Sequence, residues 1–420
     1  MQTDSVRVDG GVGLQGKVSI QGSKNAALPI LAATLLTKGN NYICNCPKIT
    51  DIYQMKQLLK AIGCKVGESN EYVCVNGDSV QCKRMPTEAI RGMRSSVCML
   101  GALLSRCHEV VMEYPGGCVI GERPIDLHLK GLEALGAEFE MKEGLIYGKV
   151  KERFRGAEVV FPKVSVGATE NVVLAAVLAE GKTRIVNAAR EPEVIALCEY
   201  LCKCGANIRG MGKEILEITG VEELQGATMK IPGDRIVAGT YLFAVLGIGE
   251  NALLEKAPTS HMERVIKVAE DMGAICQVTK EGLYVQAPYG VKPIGYLRTG
   301  IYPEFPTDLQ SVALVAALAA KGESIIEERI FENRFRIVEP LKTMGAKVEI
   351  LSPDKVLVRG GYPLFGSVVE AQELRGGAAL VNAGLMAEGV TIVKGYQYIR
   401  RGYENICKDL RELGARVTSV

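Results

Sequence analysis

The stretch Met344-Gly345-Ala346-Lys347-Val348 joins the end of an amphipathic helical pattern to the start of a strand pattern, and similar stretches occur six times. Successive glycines of this signature lie 68 to 73 residues apart. Spacing this regular predicts six repeats of one structural unit. The six copies are Ile62-Gly63-Cys64-Lys65-Val66, Leu135-Gly136-Ala137, Cys204-Gly205-Ala206-Asn207-Ile208, Met272-Gly273-Ala274-Ile275, Met344-Gly345-Ala346-Lys347-Val348 and Leu413-Gly414-Ala415-Arg416-Val417.

Each repeat is predicted to contain helix, strand, helix, strand and strand. Apolar residues at helical spacing, such as Met55, Leu58 and Leu59, precede the signature, and its glycine stands where a helix C-cap turns the chain. A short strand and a second, more apolar helix precede that helix. The apolar helices have no wide polar stripe and are predicted to be buried. The sequence therefore predicts an α/β protein whose helices lie inside a shell of sheets.

The repeats also predict two domains. The sixth repeat lacks a last strand, and the alternating segments Val6-Arg7-Val8 and Lys17-Val18-Ser19-Ile20 are expected to supply it. Three repeats per domain place the boundary near Pro232. We expect one domain over residues 22–231 and a second over residues 1–21 and 232–420.

Composition excludes several classes of protein. The 420 residues include 50 Lys plus Arg and 48 Asp plus Glu, so the net charge of +2 argues against a dedicated binder of duplex nucleic acid. Any anionic ligand must be met by local positive charge. Without an apolar leader or a run of 18 apolar residues, the chain is expected to be cytoplasmic, with no membrane insertion.

The 13 cysteines are typical of a reduced cytosolic protein, in which thiols pack as small hydrophobes. Two clusters, Cys44 with Cys46 and Cys198 with Cys202 and Cys204, lack the paired spacing of zinc knuckles, and the three histidines lie far from them in sequence. We therefore expect no metal site.

Two apparent nucleotide motifs stand in the wrong context. Gly11-Val12-Gly13-Leu14-Gln15-Gly16 matches the dinucleotide fingerprint, but both of its flanks are strand-like, so we expect a glycine-rich hairpin or bulge. Gly181-Lys182-Thr183 resembles the end of a phosphate-binding loop, but it follows a helix and precedes a strand, which is the reverse of the required order.

The starts of the apolar helices are candidate anion sites because helix N-termini carry unpaired N–H groups and partial positive charge. Ordinary capping explains Ser23 and Thr307 well. It explains Lys24 and Arg375 poorly, since cations at a helix start oppose the dipole. For these two cations we favour a ligand.

The connection from Tyr114 to His128 is longer than its counterparts, and three of its glycines surround Cys118. Such a segment can act as a lid. Arg123 lies nearby in sequence and is able to activate the thiol for proton transfer or nucleophilic attack, whereas the alternative is a buried, inert thiol.

Several segments together resemble the UDP-N-acetylglucosamine 1-carboxyvinyltransferase family, enolpyruvyl transferases of bacterial peptidoglycan synthesis. The resemblance covers the whole chain and implies a fold of two inverse, inside-out α/β barrels of three repeated units each, with the active site in the cleft between them. Its motifs include Gly22-Ser23-Lys24-Asn25-Ala26-Ala27-Leu28-Pro29, Met93-Arg94, Pro115-Gly116-Gly117-Cys118, Ser165-Val166-Gly167-Ala168-Thr169, Asn187-Ala188-Ala189-Arg190-Glu191-Pro192-Glu193, Phe305-Pro306-Thr307-Asp308, Phe331-Glu332-Asn333-Arg334-Phe335 and Arg401-Gly402-Tyr403-Glu404.

The resemblance implies that the enolpyruvyl group of phosphoenolpyruvate is transferred to the 3′-hydroxyl of UDP-N-acetylglucosamine with release of phosphate. Such chemistry needs an acid, a base and cations. By the resemblance, Cys118 is the proton donor and the target of the epoxide fosfomycin, and Asp308 is the base. Lys24, Arg123 and Arg401 match the cations around phosphoenolpyruvate.

For the nucleotide sugar, the resemblance implies a larger set of contacts and no metal or other cofactor. Arg375 matches a further basic residue of the cleft. The positions that match sugar-nucleotide contacts are Asn25, Arg94, Arg123, Pro124, Ile125, Asp126, Leu127, Lys163, Val164, Ser165, Val166, Asp308 and Ile330.

One departure from the family pattern is Glu304, where we expect glycine; we expect this carboxylate to face solvent. Two rival functions remain, the related shikimate-pathway enolpyruvyl transferase and a catalytically silent paralogue that binds UDP-sugar. Asn25 and the Cys118 loop argue against the first rival. Retention of a proton donor argues against the second, since a pure binder needs none.

Overall fold

The computed structural model describes residues 4–81, 84–85, 94–114 and 124–420. Within these ranges the chain divides into two compact units, one formed by residues 22–114 and 124–232 and the other by residues 4–21 and 233–420.

Three repeats make up the 22–232 unit. Its helices are α1 (Lys24–Ala33), α2 (Thr50–Ala61), α3 (Leu100–Cys107), α4 (Asp126–Ala134), α5 (Val166–Ala176) and α6 (Pro192–Lys203). Its strands are β3 (Thr37–Lys38), β4 (Asn40–Cys44), β5 (Lys65–Glu68), β6 (Tyr72–Asn76), β7 (Glu109–Glu113), β8 (Ala137–Lys142), β9 (Leu145–Val150), β10 (Glu158–Val160), β11 (Lys182–Val186), β12 (Asn207–Arg209), β13 (Ile215–Thr219), β14 (Leu224–Gln225) and β15 (Thr228–Lys230).

The other unit contains three more repeats and both ends of the described chain. Its helices are α7 (Arg235–Ile248), α8 (Glu263–Asp271), α9 (Gln310–Leu318), α10 (Val338–Thr343), α11 (Leu374–Met386), α12 (Tyr396–Ile399) and α13 (Ile406–Glu412). Its strands are β1 (Ser5–Asp9), β2 (Leu14–Ser19), β16 (Glu250–Glu255), β17 (Ile275–Val278), β18 (Gly282–Gln286), β19 (Gly295–Arg298), β20 (Gly322–Glu327), β21 (Lys347–Ser352), β22 (Lys355–Gly360), β23 (Val368–Glu370), β24 (Val390–Lys394) and β25 (Arg416–Ser419).

Short 3₁₀ helices precede or extend several of the helices and matter for the site. They are Thr34–Leu36, Arg94–Met99, Thr259–His261, Thr307–Leu309 and Arg334–Ile337.

The predicted repeat is confirmed, including the strand that the sixth repeat lacks. β1 lies between β24 and β25 and pairs antiparallel with both, with Val6 opposite Val393 and Val8 opposite Val417. The signature glycines all have positive φ angles between 86° and 107°, which side chains disfavour at a helix end. The N-terminal segment therefore completes the last repeat.

Five repeats have an additional edge strand, and of these strands the sequence analysis predicted β2 alone. β15 ends the third repeat and pairs in parallel with β4 of the first, while β10 pairs in parallel with β11 of the next repeat. β19, β23 and β2 do the same in the other unit. With the isolated parallel bridge between Arg84 and Val111, these strands join neighbouring repeats into a closed cycle of three within each unit.

The apolar helices lie inside the sheets, as predicted. In α7 every residue from Ile236 to Leu246 is buried, and in α5 every residue from Ala168 to Ala176 is buried. A helix that is apolar on all sides has no face to offer to water, so the amphipathic helices and sheets must enclose it. The α/β class with helices inside a shell of sheets is confirmed.

The segments set aside as false nucleotide motifs stand next to strands, as expected, but the predicted glycine-rich hairpin is wrong, because β1 and β2 belong to different sheets. Residues 11–16 connect β1 to the start of β2, with no helix following, and Lys182 begins β11 directly after the turn that follows α5. Neither segment places a glycine-rich loop before a helix N-terminus, as phosphate binding of that kind requires.

The eleven cysteines in the described ranges are all free, and none is exposed. Burial raises the pKa of the Cys64 thiol to about 12 and that of the Cys204 thiol to about 11, so both are inert packing groups. Within the described ranges no cluster of three or more His, Cys, Asp or Glu is arranged to hold a metal, and no helix is long and apolar enough to cross a bilayer.

Asp409 gives the 233–420 unit a predicted pH dependence. Burial raises the pKa of this carboxyl from 3.8 to about 6, although the Tyr241 hydroxyl donates to Oδ2 at 2.5 Å. The native state thus binds more protons than the unfolded state between about pH 4 and 6, so this group lowers stability as pH rises through that window. Asp409→Asn removes this titration. We therefore expect its unfolding free energy, relative to that of wild type, to rise by about 2 kcal/mol from pH 4 to pH 7.

Urea unfolding at several pH values measures this gain. Asp271→Asn is the control, because the Asp271 carboxylate is about half exposed. If the unfolding free energies of Asp409→Asn and wild type change equally from pH 4 to 7, the Asp409 prediction is wrong.

Candidate active site

Some predicted site residues lie outside the described residues. These are Cys118 and Arg123, and the side chain of Arg94 also falls outside them, although its backbone begins the 3₁₀ helix Arg94–Met99. The roles of these three residues stay predictions.

At the start of α1, Ser23 caps the helix by accepting from the Ala26 backbone N–H at 3.3 Å. Lys24 is the first helical residue, and its Nζ lies 2.6 Å from Oδ2 of Asp51, a buried residue at the start of α2. Asn25 follows and is half-buried. The carboxylate of Asp51 offsets the unfavourable dipole at Lys24 and holds the ammonium group in place.

At the start of α9, the Asp308 carboxylate lies between two guanidinium groups. Its Oδ1 is 2.6 Å from Nη2 of Arg334, and its Oδ2 is 3.2 Å from Nη2 of Arg375. Both arginine side chains are at most 4% exposed, whereas the Asp308 side chain is 26% exposed. The two buried cations therefore fix a carboxylate that is still open to a ligand.

Arg375 belongs to a wider buried network. Burial opposes its charge, but Asp308, Tyr403 and Asp234 raise the pKa of the guanidinium above its usual range. The guanidinium lies over the Tyr403 ring at 5.7 Å, and the Tyr403 hydroxyl lies 2.7 Å from the Thr240 hydroxyl. Arg375 is thus held rigidly as a cation.

Arg334 is the main site candidate that the sequence analysis missed. It lies in the 3₁₀ helix Arg334–Ile337, and its Nη1 is 3.7 Å from Oε2 of Glu373, which caps α11 through the backbone N–H of Arg375 at 2.7 Å. Among the described residues, Arg334 Nε and Arg375 Nη1 are buried donors that make no hydrogen bond. Such donors beside Asp308 are suited to an acceptor oxygen.

The prediction that Thr307 caps a helix is wrong. Thr307 lies inside the 3₁₀ helix Thr307–Leu309, and its hydroxyl donates to the Glu328 carboxylate at 2.9 Å. Glu328 also accepts from the backbone N–H of Ile330 at 2.8 Å. This buried carboxylate therefore ties the loop that carries Ile330 to the turn that carries Asp308.

Two segments of the 22–232 unit combine buried anchors with exposed groups. Ser165 caps α5 by accepting from the Ala168 N–H at 3.4 Å, while Lys163 is exposed and Val164 and Val166 are half-buried. Before and within the first turn of α4, Ile125 and Leu127 are buried, whereas Pro124 and Asp126 are exposed. Each segment is fixed by apolar burial or a cap and keeps polar groups available to a ligand.

Arg401 lies in the turn that follows α12 and is half-buried. Its backbone N–H donates to the Tyr398 carbonyl at 3.2 Å. The Gln21 side chain holds the same turn by donating to the Gly402 carbonyl at 3.1 Å and accepting from the Glu404 N–H at 2.8 Å. The structure brings Asp308 and Arg375 into contact.

Lys24 and Arg375, the two cations favoured for a ligand because they oppose a helix dipole, both have carboxylate partners within the protein. Asp51 and Asp308 explain how each cation is tolerated at a helix start. The ligand interpretation is therefore not needed to account for their positions, and it stays a prediction.

Glu304 is about half exposed, with its Oε1 3.6 Å from Nη2 of Arg298.

Comparison with known proteins supplies the family. Residues 8–410 match the family model described as EPSP synthase (3-phosphoshikimate 1-carboxyvinyltransferase). The UDP-N-acetylglucosamine 1-carboxyvinyltransferase of Desulfovibrio desulfuricans is 43% identical over 416 residues, 99% of each chain. A protein of Caldanaerobacter subterraneus named UDP-N-acetylglucosamine 1-carboxyvinyltransferase 2 is 42% identical, again over 99% of each chain.

Solved structures of low sequence identity share the fold. The enolpyruvyl transferase NikO from Streptomyces tendae superposes with a TM-score of 0.88 at 20% identity, covering 99% of this chain and 98% of NikO. An EPSP synthase from Acinetobacter baumannii gives a TM-score of 0.77 at 18% identity, covering 99% of both chains. The predicted fold class is confirmed.

The chain belongs to the EPSP synthase family, a family of carboxyvinyltransferases. Within it, the chain is similar along nearly its whole length to proteins named UDP-N-acetylglucosamine 1-carboxyvinyltransferase. The resemblance stated from the sequence motifs is confirmed.

Proposed function

We propose that this protein transfers the enolpyruvyl group of phosphoenolpyruvate to the 3′-hydroxyl of UDP-N-acetylglucosamine, releases phosphate, and so commits the sugar nucleotide to peptidoglycan synthesis. Relatives of this name at 42–43% identity over 99% of the chain support the proposal. The proposal includes action in the cytoplasm.

The proposed reaction is an addition followed by an elimination. The sugar hydroxyl loses its proton to Asp308 and its oxygen bonds to C2 of phosphoenolpyruvate, while C3 gains a proton from Cys118. The C2–O bond to phosphate then breaks and C3 loses a proton, which restores the alkene in the product. Each step needs charge stabilisation, because the carboxylate and phosphate bring several negative charges into one site.

The geometry around Asp308 is the observation that carries this mechanism. A partly exposed carboxylate fixed by two buried guanidinium groups presents a base at a defined position, and the two buried cations add positive charge beside it. We propose Lys24, Arg123 and Arg401 as further cations for phosphoenolpyruvate. Asp51 orients Lys24 for that role.

For the nucleotide sugar, we propose the segments that keep exposed or half-buried groups on fixed backbones. These include Asn25 and Lys163, with Arg375 supporting the site through Asp308. The full set proposed for the nucleotide sugar is Asn25, Arg94, Arg123 with residues 124–127, residues 163–166, Asp308 and Ile330.

Phosphate release by the purified protein tests the proposal. We expect release only when phosphoenolpyruvate and UDP-N-acetylglucosamine are both present. Release with shikimate 3-phosphate in place of the nucleotide sugar would support the shikimate-pathway alternative instead. Binding of the nucleotide sugar without any release would support the silent paralogue.

Fosfomycin labelling tests the proposed role of Cys118. We expect the epoxide to alkylate Cys118, because a thiol that gives up its proton in the proposed reaction readily forms the nucleophilic thiolate, whereas burial strongly raises the pKa of thiols such as Cys64 and Cys98. Peptide mass mapping after a short exposure locates the adduct. An adduct on any other cysteine, with Cys118 unmodified, contradicts the assignment.

A further inference from the structure

A buried amide connects three segments of the 22–232 unit. Asn171 lies within α5 and is fully buried. Its Oδ1 accepts from the Gly101 backbone N–H on α3 at 2.8 Å, and its Nδ2 donates to the Val97 carbonyl in the 3₁₀ helix Arg94–Met99 at 2.9 Å. One side chain thus joins α5 to the segment that begins with Arg94.

The same amide reaches α4 through a histidine. Nδ2 of Asn171 lies 2.8 Å from Nδ1 of His128, which is 9% exposed and directly follows the segment of residues 124–127. A backbone N–H only donates and a carbonyl only accepts, so Gly101 and Val97 fix the orientation of the amide. Nδ2 must therefore donate to His128, whose ring accepts at Nδ1 and carries its proton on Nε2.

Two glycines allow this close approach. A Cβ at Gly167, the residue after the segment of residues 163–166, would lie 2.8 Å from Cε1 of His128. A Cβ at Gly101 would lie 2.3 Å from the Asn171 carbonyl oxygen. His128 therefore packs directly against the first turn of α5, and α3 approaches α5 at backbone distance.

We propose that the His128–Asn171 pair is a positioning device that sets the relative placement of the three segments proposed to bind the nucleotide sugar, those at Arg94, at residues 124–127 and at residues 163–166. Neither side chain needs to contact the substrate. The pair fixes two helix starts and one 3₁₀ helix through buried hydrogen bonds, which are shielded from competition by water. This inference rests on the proposed function.

The inference predicts different effects on nucleotide-sugar binding for leucine and for asparagine at position 128. Leucine fills a similar volume but offers no acceptor, which leaves the second N–H of Asn171 with only the longer contact to the Gly167 carbonyl at 3.4 Å. Asparagine places Oδ1 near the position of Nδ1 and restores the acceptor. We expect His128→Leu to weaken binding of UDP-N-acetylglucosamine about tenfold and His128→Asn to stay within about threefold of wild type.

A matched control separates positioning from general stability. The Tyr200 hydroxyl donates to Oδ1 of Asn41 at 2.6 Å, which is another buried hydrogen bond of the same unit but joins none of the three segments. Tyr200→Phe is expected to lower the melting temperature about as much as His128→Leu does. Its affinity for the nucleotide sugar should match that of wild type.

Calorimetric titration with UDP-N-acetylglucosamine, together with kcat at saturating substrates, tests the positioning role of the His128–Asn171 pair. We expect His128→Leu to raise Kd and KM for the nucleotide sugar while kcat changes less than threefold. The inference fails if His128→Leu binds like wild type, if His128→Asn does not restore affinity, or if Tyr200→Phe weakens binding equally. If the wild-type protein binds no nucleotide sugar, the proposed function itself fails.

Discussion

Asp308→Asn is expected to lower kcat by a factor of about 10² to 10⁴, because the amide is nearly the same shape as the carboxylate but cannot take the proton of the sugar hydroxyl. Its oxygen still accepts from one of the two guanidinium groups, so the local geometry is largely kept. KM for both substrates should change much less than kcat. Steady-state phosphate release measures both quantities.

Glu304→Gln is the matched control for this substitution. Glu304 lies four residues before Asp308, is about half exposed and lies near Arg298 at the surface. The Glu304→Gln variant should retain wild-type kcat, since the Glu304 carboxylate has no proposed contact with the substrate. A normal kcat in Asp308→Asn, or an equal loss in Glu304→Gln, would remove the basis for assigning the proton transfer to Asp308.

Asp308→Ala is expected to show the second large effect, a loss of about 3 kcal/mol in the unfolding free energy of the 233–420 unit. Removing this carboxylate takes the shared partner from the buried guanidinium groups of Arg334 and Arg375, and leaves Arg334 only the longer contact with Glu373 at 3.7 Å. An uncompensated buried charge is costly, whereas loss of a whole pair is better tolerated. Denaturant unfolding of the purified variant measures the loss.

A double-variant cycle isolates the charge effect. Combining Asp308→Ala with Arg375→Met removes one of the stranded cations, so the double variant should lose at least 1 kcal/mol less than the sum of the single variants. Asp271→Ala breaks an exposed pair with Lys267 and should change stability by less than about 0.5 kcal/mol. Strict additivity of Asp308→Ala and Arg375→Met would show that the network does not couple them.

Much of the fold was predictable because the repeat signature combines a helix end, a glycine and a strand start at a constant interval. The glycine needs a positive φ, so the signature marks a physical turn rather than a chance pattern. Apart from β2, the parallel edge strands were not predicted. β10, β15 and β23 have only three residues each, too few for an alternating pattern to be recognised.

The site was predictable only where a residue is unusual in its local setting. Lys24 and Arg375 were predicted as site residues because a cation opposes the dipole at a helix start. Their partners Asp51 and Asp308 are tertiary contacts, for which the local sequence gives no signal. Arg334 was missed as a site residue for the same reason, since it meets Asp308 across 26 residues of chain. Thr307 was misassigned because a 3₁₀ turn precedes its helix, which begins at Gln310 with its N-cap at Leu309.

The proposed enolpyruvyl transfer is tested most directly by the fate of the bridging oxygen of phosphoenolpyruvate. In addition and elimination the C2–O bond breaks, so ¹⁸O placed between C2 and phosphorus must leave with the phosphate. We predict that labelled phosphoenolpyruvate and UDP-N-acetylglucosamine yield ¹⁸O-phosphate and a nucleotide sugar heavier by one enolpyruvyl group. Unlabelled phosphate, or an unchanged nucleotide sugar, would contradict the proposed function.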